Sequence, residues 1–259
     1  MVKGLYTAYT GMLNEQNRMD IMTNNLANAS TVGYKKESST SQSFDDVLTV
    51  KIKDQSVGMR NAQKIGIKNP GVKIGENYTD YSQGSFRITG NTYDLALSGE
   101  GFFAIEFTNK AGETDTKYTR AGQFTLNKDG YLVTEEGDYV LDTQNRRIRL
   151  NTLIDSSITD DGTIYQNGQA MAKIQVTDFA DYDYLEKYGE TYYQPIEGAQ
   201  TIASNAQVKS GYLEMANVQI VSEMVNLISI TRAYESNQKV VQTIDDTLDV
   251  AVNQIGRVQ

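Results

Sequence analysis

The residues that could do chemistry in this chain are few in kind. Its 259 residues include no histidine, no cysteine and no tryptophan. That removes Ser-His-Asp and Cys-His nucleophilic catalysis, histidine metal sites, disulfides and thiolate clusters together. Carboxylate, lysine and tyrosine chemistry is what remains. A pair such as Asp160 or Asp161 with Glu190 would be the two-acid arrangement of a glycoside hydrolase, yet these acids stand in turn-like sequence and nothing marks a buried pair. Gly99-Glu100-Gly101 has the look of a phosphate loop, but it falls between two strand-like runs and opens no helix. No catalytic residue, no cofactor and no metal site is therefore assigned.

Composition narrows the partners. A net charge of −9 argues against a nucleic-acid backbone or an anionic membrane as the main partner. Lys35, Lys36, Lys51, Lys53, Arg60, Lys64, Lys68 and Lys73 do concentrate positive charge in an acidic protein. No aromatic residue is interleaved between Phe44 and Asn77 for base stacking, so the segment reads as a solvated linker or as an arm for an acidic face of a neighbouring copy. A hydrophobic content of 39% is too high for disorder. No apolar run approaches the ~18 residues of a membrane span, and the N-terminus lacks the apolar core of a secretory signal. A chain free of cysteine behaves alike in reducing and oxidising compartments.

The elements that organise the chain are at its two ends. From Ile220 a position recurs every four and then three residues: Ile220, Met224, Leu227, Thr231, Tyr234, Gln238, Val241, Asp245, Leu248, Val252 and Ile255. That is a heptad seam, with no proline and no glycine before Gly256 to interrupt a helix. With Asn217 as N-cap, such a helix would be roughly 58 Å long at ~1.5 Å per residue. Near the N-terminus Leu5, Met12, Met19 and Leu26 are seven residues apart, with Tyr9, Gln16 and Thr23 four after the first three. Polar residues within both seams lower the stability of an isolated pair and fix register. The expectation is that the two helices pair, and that copies of the chain bury together what one pair cannot. The expected self-assembly surface is Leu5, Tyr9, Met12, Met19, Leu26, Ile220, Met224, Leu227, Tyr234, Val241, Leu248, Val252 and Ile255.

Between the ends lies strand country. Asp94-Leu95-Ala96-Leu97-Ser98 and Phe103-Ala104-Ile105-Glu106-Phe107 alternate with period two, and Phe124-Thr125-Leu126 meets Tyr131-Leu132-Val133 across Asn127-Lys128-Asp129-Gly130. Glu136-Gly137 and Asn167-Gly168 mark further turns. Tyr182, Tyr184, Tyr188, Tyr192 and Tyr193 suit strand packing more than interface anchoring. The expected fold class is α+β, with long N- and C-terminal helices pairing as a coiled-coil-like element around an inserted antiparallel β domain. The expected divisions are 1–35 for the first helix and its Asn-rich end, 36–75 for an extended linker, 76–210 for the β domain and 211–259 for the second helix.

Four motifs carry a resemblance. Asn24-Asn25-Leu26-Ala27-Asn28 with Thr31-Val32-Gly33-Tyr34-Lys35 is similar to the N-terminal signature of the bacterial flagellar rod and hook proteins. Asp94-Leu95-Ala96-Leu97-Ser98-Gly99-Glu100-Gly101-Phe102-Phe103 and Tyr118-Thr119-Arg120-Ala121-Gly122-Gln123-Phe124 resemble that family's central segments. Gly211-Tyr212-Leu213-Glu214-Met215-Ala216-Asn217, then Glu223-Met224-Val225-Asn226-Leu227-Ile228 and Arg232-Ala233-Tyr234-Glu235-Ser236-Asn237, complete it. Ala216 departs from the hydroxyl residue often found there. The resemblance implies a non-enzymatic structural subunit of the flagellar rod. It implies stacking through the terminal helices with copies of itself and other axial proteins, a place in the basal body, and export by the flagellum's own type III apparatus without a cleaved general secretion signal. A hook-type axial protein or a hook-basal body junction subunit is the alternative.

Overall fold

The computed structural model describes residues 2–51, 63–109 and 112–255. Lys53 and Arg60 of the basic segment lie outside the described residues, as do the side chains of Lys51, Lys64 and Ile255. A first helix, α1, runs over Val2–Ala27, and a second, α2, over Ile220–Val250, ending in a wider turn at Ala251–Ile255. Between them every strand pairing among the described residues is antiparallel. The chain divides into two units. One is built from α1 through Leu26, from Glu37–Asp80 and from α2; the other from Ala27–Lys36 and Tyr81–Gln219.

This architecture corrects the expected fold class. Among the described residues strand accounts for 40% and helix for 26%, so a large antiparallel β domain, not a coiled-coil-like helix pair, is the dominant element. Where α1 and α2 meet, small residues stand on α1. A methyl group placed on Gly4 would lie 3.5 Å from Ile244 Cδ1, and one on Gly11 would lie 2.9 Å from the Asn237 amide. Glycines at such points let two antiparallel backbones pass closely without the interdigitated large side chains of a coiled coil. The helix start also shifts. Asn217 precedes α2 by three residues, and its side chain is spent elsewhere.

In the β unit the large sheet runs in the order Leu185–Tyr188, Tyr192–Pro195, Thr114–Thr119, Phe102–Thr108, Tyr139–Val140, Leu132–Thr134, Phe124–Leu126. Val176–Phe179 joins it beside Phe102 and Phe103 and carries Thr201–Ala203 on its other edge. The strand Phe102–Thr108 is buried on both faces. Phe103 belongs to a core with Leu95, Leu97, Phe124, Leu132, Val140, Ile148 and Ile164, whereas Phe102 and Ala104 join Tyr118, Phe179, Leu185 and Tyr193 on the opposite side. A strand with two covered faces loses the clean alternation of a half-buried one. The anticipated turns are in place: Gly130 N–H donates to Asn127 O at 3.0 Å and Gly137 N–H to Thr134 O at 3.1 Å, and Asn167 and Gly168 both have positive φ, as a two-residue hairpin turn of this kind requires.

In the other unit Glu37–Ser43 pairs with Val72–Thr79, and Val47–Lys51 with Gln63–Lys68. Polar side chains of α1 dock the first pair. Thr7 Oγ1 donates to Pro70 O at 3.1 Å, Ser41 Oγ donates to Asn14 Oδ1 at 3.0 Å, and the Asn25 amide exchanges two hydrogen bonds with the Glu37 backbone at 2.7 and 2.9 Å.

Candidate functional site

Within the β unit three of the four motif segments converge on one buried carboxylate. Glu214, at the end of strand Tyr212–Glu214, is 0% exposed. Its Oε1 accepts from Lys35 Nζ at 2.6 Å and from the Gly84 N–H at 2.9 Å, and its Oε2 accepts from Arg120 Nη1 at 3.2 Å. Lys35 and Arg120 are 1% and 3% exposed, and Lys35 Nζ also donates to Ser82 O at 2.8 Å. Three ionised groups taken out of water survive only with close partners, because stranding one costs on the order of 3–5 kcal/mol.

The local backbone explains why these residue types recur as motifs. The strand Tyr212–Glu214 pairs with Phe86–Ile88, and its end is gripped by Gly33 N–H donating to Glu214 O at 2.8 Å and by a bridge between Val32 and Met215. Gly33 has φ 71°, and a side chain there would run into the backbone of Arg120 and Ala121. Tyr34 next to it is fully buried, with Lys187 Nζ 4.2 Å from its ring centre. Asn217 closes the junction: Lys36 N–H donates to its Oδ1 at 2.7 Å, while its Nδ2 donates to Ser82 O at 3.2 Å. The arrangement joins chain segments that are distant in sequence, and its three charged groups are buried.

Beside it lies a cleft of about 420 Å³ lined by Thr31, Arg87, Gln123, Glu135, Glu136 and Tyr192, among others. Burial pushes the nearby Asp138 carboxyl up from its ordinary range, while the Tyr192 hydroxyl, donating to it at 2.9 Å, pulls the other way. Burial likewise raises the Tyr192 phenol.

The acids weighed for glycan hydrolysis are placed apart from this junction. Asp160 and Asp161 occupy an exposed turn, and exposed Glu190 accepts from Asn28 Nδ2 at 2.8 Å in another. Gly99-Glu100-Gly101 is a strand connection, and a side chain on Gly101 would crowd Ser204. Of the expected assembly residues, Leu5, Met12, Met19, Leu26, Leu227, Tyr234, Val241 and Leu248 are partly buried in the single chain, and Tyr9, Ile220, Met224 and Val252 are exposed. Lys35, Arg120 and Glu214 are not among the site residues expected from the sequence. The one hint is that each of their motifs holds a charge among turn and apolar residues, which marks the residues singly and not their meeting.

The comparisons with known proteins agree with this convergence. Residues 5–35 match the family described as flagella basal body rod protein, residues 96–168 the flagellar hook protein FlgE/F/G D1 domain, and residues 209–255 the flagellar basal body rod FlgEFG protein C-terminal. The chain is 34% identical to the flagellar basal-body rod protein FlgG of Bacillus subtilis, over 98% of this chain and 99% of that one. It is 30% identical to the flagellar basal-body rod protein FlgF of Caulobacter vibrioides and 30% to the flagellar hook-basal body complex protein FlhO of Bacillus subtilis, each over the full length of both chains. An antiparallel β unit flanked in sequence by two terminal helices and closed on a buried ionic junction accords with these matches to a structural rod protein. The chain belongs to the flagellar basal-body rod protein family and is a structural subunit of the flagellar rod, assembling with other axial components in the basal body.

Proposed function

We propose that this subunit self-assembles helically through faces of α1 and α2 and performs no catalysis. The observation that supports the reading is the apolar surface at the start of α2. Ile220, Val221, Met224, Val225 and Ile228 are all exposed in the single chain, and contiguous apolar surface of this kind marks an interaction site. Leu227, Tyr234, Val241 and Leu248 continue along the helix as a half-buried stripe. The proposal includes no direct insertion into a membrane; no described helix is long and apolar enough to cross one. Delivery by the flagellar type III export apparatus, without a cleaved general secretion signal, completes the proposal. A second reading, a hook-type or hook-basal body junction subunit, draws on the names of the FlhO relative and of the D1 domain match.

The test compares Met224→Asp with Ser236→Asp, both at exposed positions. Each should shift the thermal melt of the purified chain by the equivalent of less than ~1 kcal/mol. In cells, Met224→Asp should abolish rod formation and motility while Ser236→Asp leaves them intact. Equal assembly by the two would refute the helical interface.

A further inference from the structure

We infer that Glu214 is a clasp, whose carboxylate makes docking of the N-terminal stretch 31–36 and closure of the strand Tyr212–Glu214 conditional on each other. The inference concerns closure within the β unit and does not rest on the proposed assembly or export route. The partners it joins are far apart along the chain: Lys35 is 179 residues from Glu214 and Arg120 is 94. In an open chain all three groups are hydrated, and none gains from entering the interior alone. The strand 212–214 therefore cannot carry its terminal carboxylate to full burial until cations from two other segments are in place. Arg120 likewise aims Nη1 at Glu214 with its guanidinium 5.3 Å from the Phe102 ring.

Backbone and side chain of the same residue act together. Gly33 N–H binds the Glu214 carbonyl while Lys35 and Gly84 bind its carboxylate, so the stretch 31–36 has no register on the strand that satisfies one set and leaves the other open. A half-docked terminus is thereby penalised. Closure becomes a single event joining the start, middle and end of the β unit.

Hydrogen exchange read by mass spectrometry on the full chain tests this. In Glu214→Gln the amides of 31–36 should lose protection on the order of 100-fold, while those of Phe102–Thr108 and Thr114–Thr119 change by less than about threefold. The combined exchange Lys35→Met, Arg120→Met, Glu214→Leu removes the three charges of the cluster together and should return 31–36 to within about tenfold of the unaltered chain. Unchanged protection of 31–36 in Glu214→Gln overturns the clasp, and so does a triple variant as open as Glu214→Gln. Should Glu214→Gln unfold the whole unit, the triple variant decides: folded with 31–36 protected it supports the clasp, and unfolded it overturns it.

Discussion

Gly33 shows how a single residue type can be forced from two directions. Its φ of 71° disfavours any side chain, and the close approach of the Arg120–Ala121 backbone leaves no room for one. Gly90 separates the two effects, since its φ is 73° but nothing lies within 4 Å of where a side chain would begin. Gly90→Ala should cost about 1–2 kcal/mol from backbone strain alone. Gly33→Ala adds a steric conflict and should exceed it by ~2 kcal/mol or more, read as the difference in urea midpoints at unchanged slope. At this scale the sequence was partly legible. The letters of each motif could be read, but Lys35, Arg120 and Glu214 are a site only through space, and nothing in one chain's order announces that charges so far apart share a burial.

At the scale of elements, α1 holds its ribbon with polar groups more than with a seam. Asn25 is fully buried and both satisfies and is satisfied by the Glu37 backbone. Asn25→Ala leaves that N–H and carbonyl without their partner and should cost about 1–3 kcal/mol, with faster exchange of the Glu37 amide as the local readout. This explains why the helix phase was only half legible. In α2 the least exposed positions include Leu227, Tyr234, Val241 and Leu248, but these alternate with Ile230, Asn237 and Ile244, each one residue ahead of Thr231, Gln238 and Asp245. Polar residues stand on both candidate phases, so periodicity alone could not choose. The extent of the β domain was hidden for another reason: Ile148, Leu150 and Ile174 are core residues outside any named strand, and irregular backbone has no period to detect.

For the molecule as a whole, the β unit draws on both flanks of its main segment. A fragment spanning 76–210 omits the stretch 31–36 and the strand Tyr212–Glu214, and so keeps Arg120 while losing its carboxylate. A chain joining 27–36 to 81–219 through a short Gly-Ser linker keeps all three, and Lys35 Nζ already lies 2.8 Å from Ser82 O. That chain should melt cooperatively and exceed the 76–210 fragment in stability by about 3–5 kcal/mol, as measured by denaturant unfolding of the two. The large sheet has short borders. It ends on Phe124–Leu126, Leu185–Tyr188 and Thr201–Ala203, of three, four and three residues. A visiting strand finds only a brief run of backbone to bind on such a rim. Where copies of the chain stack as proposed, that brevity disfavours fusion of neighbours sheet to sheet at this rim, and leaves the growth of an ordered stack to surfaces that can be matched and released.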